Sequence, residues 1–184
     1  MHIETARLTD LKPDRAAQRR RLVQQAWPDS SDTDHDLALN PMSLLLVEDD
    51  LVLAMLDILA KQLVHRGHTY RVSGLSSVVT DARSRHRGYG RALVGSARLS
   101  MQNQRRDLAL FTCDRYLTKF YVDAGFSMLD GAVLVGGTPG DPLRSDTFDK
   151  VTLGAFYTPL AAAHADDFVD CDIELYPGPR DRLW

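Results

Sequence analysis

The sequence predicts one α+β domain spanning residues 1–184, with a central mixed, mostly antiparallel sheet, one parallel strand pair and flanking helices. Two apolar runs, 51–65 and 69–80, are joined by a short Arg-Gly turn, which predicts an antiparallel hairpin. The second run leads through a glycine-bearing turn to a helical pattern over 88–104 and a strand over 107–112. Such a β-α-β unit places its two strands parallel in one sheet.

Composition narrows the class of protein. Hydrophobic content of 44% and charged content of 26% are ordinary for a globular chain, and a net charge of −3 argues against a protein that coats nucleic acid. Two cysteines are too few for a disulfide scaffold, which favours a reducing cytoplasm. The chain has no apolar stretch of the roughly 20 residues that a membrane span needs, and its start lacks a signal-peptide pattern.

The N-terminal half is predicted to hold an edge strand over 2–9 and a helix over 13–26, with Pro13 in the first turn. We interpret its basic side as a solvated helix face rather than a nucleic-acid contact; this face comprises Arg15, Arg19, Arg20 and Arg21. A short helix over 33–39 ends before Pro41, and a strand follows over 43–48.

The segment 27–36 is acidic and rich in turn residues. It is either a solvated loop with helix caps or a surface that attracts a cationic substrate through its carboxylates, Asp29, Asp32, Asp34 and Asp36. His65 and His68 have the spacing of metal ligands, but a tight hairpin turn presents them poorly, so we interpret both as structural.

The C-terminal half continues with a helix over 115–124, which Gly125 ends as a C-terminal cap. The remaining segments are a strand over 126–135, a loop over 136–149, and strands over 150–157 and 168–176.

The turn that opens the helix at 88 reads Arg85-x-x-Gly88-x-Gly90 and follows an apolar, β-branched strand. Glycines let a backbone approach a ligand closely, a helix N-terminus carries partial positive charge, and Arg85, Arg87 and Arg91 add full charges. The motif is either a phosphate site or an ordinary strand–turn–helix connection. The spacing matches neither a P-loop nor the first unit of a dinucleotide-binding fold.

Two motifs carry a resemblance to a known superfamily: Val79-x-Asp81-x-x-x-Arg85-x-x-Gly88-x-Gly90 and Phe120-Tyr-x-x-Ala-Gly-Phe126. With the order of strands and helices, they resemble the GCN5-related N-acetyltransferases (GNATs) over nearly the whole chain. His86 departs from the pattern, since many members carry glycine there.

Within that superfamily the chain is most similar to the aminoglycoside 2'-N-acetyltransferases, including the kasugamycin-modifying branch. The features that carry this likeness are Thr5–Leu8, the acidic loop 27–36, Leu63–Gly67 with Arg71, Leu110–Tyr121, loop 136–149 and a tail ending in Trp184.

The resemblance implies acetyl-CoA as co-substrate and no metal. Its pantetheine arm would follow the strand 75–80, and its pyrophosphate would lie on the N–H groups of 85–90. The residues implied in binding acetyl-CoA are Val78, Val79, Thr80, Arg85, His86, Arg87, Gly88, Tyr89, Gly90 and Thr112.

Acetyl transfer requires that the amine lose a proton, that the oxyanion be stabilised and that the leaving thiolate be protonated. A backbone N–H of 77–79 would stabilise the oxyanion, and Tyr121 stands where the superfamily often has the acid that protonates the thiolate. Ser76 stands where related enzymes carry a glutamate, so it would act by holding a water that relays the proton to Asp29 or to the Trp184 carboxylate. Cys113 is interpreted as a packed side chain rather than an acyl carrier.

The implied substrate-binding residues are Asp29, Ser76, Ser77, Asp146 and Trp184. The expected activity is direct acetyl transfer in a ternary complex to the 2'-amino group of an aminoglycoside such as kasugamycin, which would confer resistance. The alternatives are a GNAT acting on a protein N-terminus, a lysine or another small amine, and a non-catalytic acyl-CoA-binding module. No nucleic acid or membrane partner is expected, and a homodimer is expected by analogy alone.

Overall fold

The computed structural model describes residues 1–29 and 34–184. The strands in this part of the chain are β1 His2–Arg7, β2 Met42–Glu48, β3 Leu51–His65, β4 His68–Thr80, β5 Leu108–Asp114, β6 Ser127–Met128, β7 Val133–Thr138, β8 Asp141–Arg144, β9 Lys150–Phe156 and β10 Asp172–Glu174. The α-helices there are α1 Pro13–Ala26, α2 Tyr89–Asn103, α3 Thr118–Val122 and α4 Pro159–Ala163.

Seven strands form the main sheet in the order β1-β2-β3-β4-β5-β9-β6, and β10-β7-β8 form a second sheet. All pairs of the main sheet are antiparallel except β4 with β5, which the β4–α2–β5 connection makes parallel. This confirms the predicted mixed, mostly antiparallel sheet with one parallel pair and flanking helices. The predicted hairpin of two long strands is also present, since β3 and β4 pair from His65 and His68 at the turn.

Helices cover both faces of the main sheet. Because side chains alternate along β3, Leu56 and Ile58 pack with Leu93 and Ala97 of α2, whereas Met55 packs with Leu22 of α1 on the other face. Farther along the sheet, the second sheet covers the face that α1 leaves uncovered. The core therefore has layers on both sides of β3 and β4, and these two strands lie at the centre of the molecule.

Strands β4 and β5 hydrogen-bond over a short distance only. Their register holds Val72 opposite Leu108 and Ser73 opposite Ala109, and beyond these pairs the strands separate. At the point of separation the Trp184 indole lies over Gly74, and its Nε1–H donates to the Leu110 carbonyl at 2.8 Å. The indole thus satisfies a backbone acceptor that strand pairing has released.

Several segments of the C-terminal half differ from the sequence prediction. The single strand predicted over 126–135 is two short strands, β6 and β7, because a turn with Gly131 at φ +64° redirects the chain into the second sheet. The predicted loop 136–149 contains the β7–β8 hairpin, which turns at Pro139 and Gly140, while Gly137 near the end of β7 adopts φ +67°. Within the predicted strand 168–176 the described structure keeps β10, and within 115–124 a 3₁₀ turn precedes α3.

The N-terminal half follows the prediction more closely. The predicted helix 13–26 coincides with α1, in which Pro13 occupies the first turn. Of the helix predicted over 33–39, Thr33 lies outside the described residues, and the described part is a 3₁₀ turn at Leu37–Leu39, whose first turn Asp36 caps through the Ala38 N–H. In the described part of the chain, no helix is long and apolar enough to cross a membrane.

A glycine-to-alanine pair tests the position of the Trp184 indole. A Cβ on Gly74 would lie 2.4 Å from Trp184 Nε1 and 2.7 Å from the Leu110 carbonyl, so Gly74→Ala should lower the free energy of unfolding by about 1–3 kcal/mol. A Cβ on Gly95, inside α2, would meet no atom within 4 Å, so Gly95→Ala should raise that free energy by about 0.5–1 kcal/mol. Urea denaturation measures both, and equal effects would contradict the packing described.

Candidate functional site

The separation of β4 and β5 opens a cleft of about 580 Å³. Ser76, Ser77 and Val78 of β4 line one side of it, and Thr112 of β5 lines the other. Residues from both faces of the sheet reach this space, since Val23 of α1 and Tyr121 near α2 also line it. The cleft is therefore bordered by elements from both faces of the sheet.

A bulge interrupts β4 inside the cleft. Met55 is opposite Val79 and Asp57 is opposite Ser76, so β4 has one more residue than β3 between these pairs. Ser77 adopts φ +50°, an unusual value for a residue other than glycine. Neither Ser77 nor Val78 has a Cα partner on β3 in this register, and the bulge brings both to the cleft wall.

Tyr121 lies on α3, is 6% exposed as a whole residue and lines the cleft. Its ring packs edge-on against Phe111 with 5.1 Å between centroids. Burial, followed by the nearby Cys113 and Asp114, raises the pKa of the phenol, which therefore stays protonated near neutral pH. Burial likewise raises the pKa of the Cys113 thiol to about 11, so that thiol is a poor nucleophile, as its interpretation as a packed residue requires.

The Arg85–Gly90 turn lies at the N-terminus of α2. Gly88 caps the helix at φ +80°, and the first intrahelical bond runs from the Ala92 N–H to the Gly88 carbonyl at 3.0 Å. The preceding N–H groups have no partner within the helix, which is the usual geometry of an anion site. Arg85, His86 and Arg87 are exposed around it, and a Cβ on Gly90 would lie 3.2 Å from Thr80 Oγ1.

The remaining predicted residues have other surroundings. Asp29 and Trp184 line the cleft, on the side where the chain enters from α1 and from the C-terminal segment. Val79 is buried against α1. Asp146 is not among the residues that line the cleft, and its carboxylate pairs with Arg144 at 3.1 Å on the surface. Asp32 lies outside the described residues.

Sequence reasoning missed a buried ionic network beside the cleft. Asp57 of β3 is fully buried and accepts a hydrogen bond from Arg19 Nη2 at 2.8 Å and another from Ser43 Oγ at 2.5 Å. His35 Nε2 donates to the same carboxylate at 3.0 Å, and His35 Nδ1 donates to Asp181 at 2.5 Å. The network joins α1, β2, β3, the segment before β2 and the C-terminal segment.

The charges in this network support one another. Burial alone would lower the pKa of His35, but the hydrogen bonds to Asp181 and Asp57 outweigh it and raise that pKa to about 9. Burial alone would raise the pKa of Asp57, but the His35 hydrogen bond and the Arg19 charge keep it below its usual value. His35 is therefore an imidazolium at neutral pH, held between two carboxylates.

Arg19 corrects one sequence prediction. The sequence pattern assigns it to the solvated basic face of the first helix, but it is 1% exposed and pairs with Asp57. Arg20 and Arg21 are exposed as predicted, whereas the Arg15 side chain is only 13% exposed and pairs with Glu4 at 2.9 Å. One signal for the buried pair was present: Asp57 is the single charge in the apolar run 51–60, and a carboxylate in a buried strand needs a cationic partner.

In residues 1–29 and 34–184, no group of three or more His, Cys, Asp or Glu side chains is arranged to hold a metal ion. His65 Nε2 contacts the Asp167 carbonyl at 2.8 Å, and His68 packs on the His164 ring with 4.1 Å between centroids. Both histidines therefore have structural contacts.

Asp57→Asn tests the buried network. The substitution keeps the shape of the side chain but removes the charge that balances Arg19 and His35, so the free energy of unfolding should fall by about 3–5 kcal/mol. Asp50→Asn is the matched control, because Asp50 pairs with Arg15 while its side chain is 95% exposed, and it should change that free energy by no more than about 0.5 kcal/mol. Similar losses in both variants would contradict a buried, balanced network.

Comparison with known proteins gives matches at the level of structure. Neither a scan of protein-family models nor a search of curated proteins finds a match. An acyl-CoA N-acyltransferase from Pseudomonas aeruginosa aligns with a TM-score of 0.61 and 16% identity over 83% of this chain and 97% of its own. ElaA from Escherichia coli aligns with the same TM-score and coverage at 14% identity.

A third solved structure, an aminoglycoside 6'-N-acetyltransferase complexed with coenzyme A, aligns with a TM-score of 0.59 and 11% identity, covering 86% of this chain and 98% of its own. Identities this low establish the architecture. The chain therefore has the fold of the GCN5-related N-acetyltransferases, as its order of strands and helices predicted.

Proposed function

We propose that the chain is an acetyl-CoA-dependent N-acetyltransferase that acts on a primary amine of an aminoglycoside-type molecule. The observation that carries the proposal is the bulged β4 strand, which lines an open cleft and runs directly into the Arg85–Gly90 turn and α2. A strand with interrupted pairing and a helix N-terminus are thus consecutive, as one extended acyl-CoA molecule requires.

The residues present fit acetyl-CoA on physical grounds. The free N–H groups at the start of α2, together with the exposed Arg85 and Arg87, suit a pyrophosphate. The cleft wall at Val78 offers backbone groups to the amides of the pantetheine arm. Bound acetyl-CoA supplies the thioester whose carbonyl carbon the amine attacks, and the backbone at Ser77 and Val78 is where we assign the oxyanion donor.

Tyr121 is the residue to which we assign proton donation. Its phenol stays protonated because burial raises its pKa, and it borders the same cleft as Ser77. In our mechanism the amine nitrogen forms the new bond, the carbon–sulfur bond breaks, and Tyr121 gives its proton to the departing thiolate. A proton from solvent then restores the phenol.

The amine must lose a proton before it attacks. Asp57 lies opposite Ser76, but Arg19, Ser43 and His35 already donate to its carboxylate, which makes it a poor base. We therefore assign the proton to Asp29, which borders the cleft, through a water held by Ser76.

The acceptor class rests on the charges of the cleft. Lys150, Arg180 and Arg182 line the cleft too, but the carboxylates of Asp29 and Asp34 on the side of α1 can pair with the ammonium groups of a cationic aminosugar. The likeness to an aminoglycoside 6'-N-acetyltransferase supports an amine of this class. Within the class we propose the 2'-amino group, in kasugamycin or a related antibiotic, and a role in resistance.

The test of the proposed function is acetylation of an amine panel followed by mass spectrometry. Kasugamycin and 2'-amino aminoglycosides should each gain the mass of one acetyl group, whereas matched aminoglycosides with a 2'-hydroxyl should gain none at that position. If only peptides are acetylated, at their N-terminus or at a lysine, the acceptor is a protein and the proposed aminoglycoside acceptor is wrong. Binding of acetyl-CoA without transfer to any amine would make the chain a binding module and contradict the proposal.

Tyr121→Phe tests the assigned proton donor. Removing the hydroxyl should lower kcat about 100-fold and leave the Kd for acetyl-CoA within about twofold, because the ring contacts with Phe111 remain. Tyr116→Phe removes a hydroxyl from a neighbouring tyrosine that is 81% exposed and should leave both constants unchanged. An unchanged kcat in Tyr121→Phe, measured by thiol release, would remove Tyr121 from the mechanism.

A further inference from the structure

The tail segment, residues 177–184, crosses the molecule on top of two glycines. A Cβ on Gly74 would lie 2.4 Å from the Trp184 indole, and a Cβ on Gly136 would lie 1.6 Å from the Arg182 carbonyl oxygen. Neither glycine has a positive φ, so neither is needed for backbone conformation. Both instead allow the tail segment to approach, which indicates that its docked position is part of the fold.

Backbone bonds position the tail segment along its length. Gly178 N–H donates to the Gly137 carbonyl at 3.0 Å, and Gly137 N–H donates to the Arg182 carbonyl at 2.8 Å. Near its end, Trp184 N–H donates to the Asp181 carbonyl at 3.1 Å. These bonds lie along the second sheet and within the segment, so they do not hold it against α1 and β3.

Asp181 supplies that connection. Asp181 is 8% exposed. Its carboxylate accepts one hydrogen bond from His35 Nδ1 and another from the Asp36 N–H at 2.8 Å. Through His35 it is linked to Asp57 in the centre of β3. The tail segment is therefore joined to the middle of β3 by a buried ionic contact, whereas its contacts with β5 are the Trp184 indole bond to the Leu110 carbonyl and a bond from Thr112 Oγ1 to the Leu183 carbonyl.

The surroundings of His35 require it to be charged. Both ring nitrogens face carboxylate oxygens, so the ring must donate from both, and neither nitrogen is available as a base. The charged groups that surround the ring are Asp57 from β3, Arg19 and Arg20 from α1, Asp34 beside it in the chain, and Arg180 and Asp181 from the tail segment.

We propose that His35 is a positioning residue: its imidazolium clamps Asp181 to Asp57, and the tail segment held in this way forms the acceptor side of the cleft. All five residues from Arg180 to Trp184 line the cleft, together with Asp29 and Asp34. The role of the tail segment in acceptor binding rests on the proposed function, whereas the clamp itself does not.

The clamp has a defined dependence on pH. A histidine whose pKa rises from 6.5 in the unfolded chain to about 9 in the folded chain stabilises the fold fully below pH 6.5. That contribution is lost as the pH rises through about 9, where the ring loses a proton and Asp57 and Asp181 lose their common cation. The tail segment should therefore loosen on the alkaline side and remain docked at neutral pH.

Tryptophan fluorescence tests the clamp without any enzyme assay. The chain has two tryptophans, so Trp27→Phe leaves Trp184 as the single reporter. Acrylamide quenching of Trp184 should increase severalfold across a transition near pH 9, and His35→Gln, which cannot carry the charge, should abolish the transition and give high quenching at every pH. A pH-independent Trp184, or the same transition with and without His35, would overturn the clamp.

Steady-state kinetics test the acceptor role. His35→Gln and Asp181→Asn should each raise KM for the acceptor amine roughly tenfold or more, because a small displacement of a binding wall has large kinetic effects, and both should leave the Kd for acetyl-CoA unchanged. Asp141→Asn is the control, since it removes the exposed Arg182–Asp141 pair at 3.1 Å but not the clamp. The acceptor KM of the wild type should rise above about pH 9, and this rise should be absent in His35→Gln.

The two experiments separate the two proposals. Alkaline release of Trp184 with an unchanged acceptor KM in His35→Gln would overturn the acceptor role of the tail segment. Alkaline release without acetyl transfer to any amine would leave the clamp in place and contradict the proposed function. If His35→Gln does not fold, the pH titration of the Trp27→Phe variant still decides whether the clamp exists.

Discussion

The separation of β4 from β5 is the constraint on which the rest of the structure depends. Two parallel strands that stop pairing in the centre of a sheet leave backbone groups that need other partners. The Trp184 indole satisfies the Leu110 carbonyl, and β9 pairs with the far edge of β5 along its length. The opening leaves backbone groups of β4 facing a cleft that reaches both faces of the sheet.

The two faces beside this cleft differ in chemistry. On the α2 side lie Tyr121, the apolar core and the glycine turn at the helix N-terminus. On the α1 side lie the buried Asp57 network, Asp29 and the tail segment. The α2 side thus offers a helix N-terminus, and the α1 side offers carboxylates interspersed with Arg180 and Arg182.

Local patterns predicted the half of the fold that precedes β6. Helix α1, the β3–β4 hairpin and the β4–α2–β5 unit each carry their own signal, in Pro13, the Arg66-Gly67 turn and the Gly88–Gly90 turn. The second sheet was not predicted because its strands are short, and because Gly131 turns the chain between β6 and β7 in a sequence that otherwise alternates like one strand. Only long-range pairing of β10 with β7 fixes that arrangement.

The candidate site likewise has one part that local sequence patterns predicted and one part that they did not. The turn at Arg85–Gly90 is contiguous in sequence and was identified from it, whereas Arg19, His35, Asp57 and Asp181 come from four distant segments. Their association follows from the burial of one carboxylate in β3, and pattern reasoning placed Arg19 in solvent because helical periodicity alone does not show which charge faces a buried partner. Ser76, the position that lacks the expected carboxylate, lies directly opposite Asp57.

The most direct test of the acyl-CoA site is a titration of the ¹⁵N-labelled chain with acetyl-CoA, in which amide chemical shifts are measured by NMR at each step. We predict that the largest changes fall on the N–H groups of Ser77–Val79 and of Arg85–Gly90, with small changes in β1 and in the β7–β8 hairpin. Saturable shifts centred away from β4 and the start of α2, or no shifts at all, would contradict the assignment of the cleft to an acyl-CoA donor.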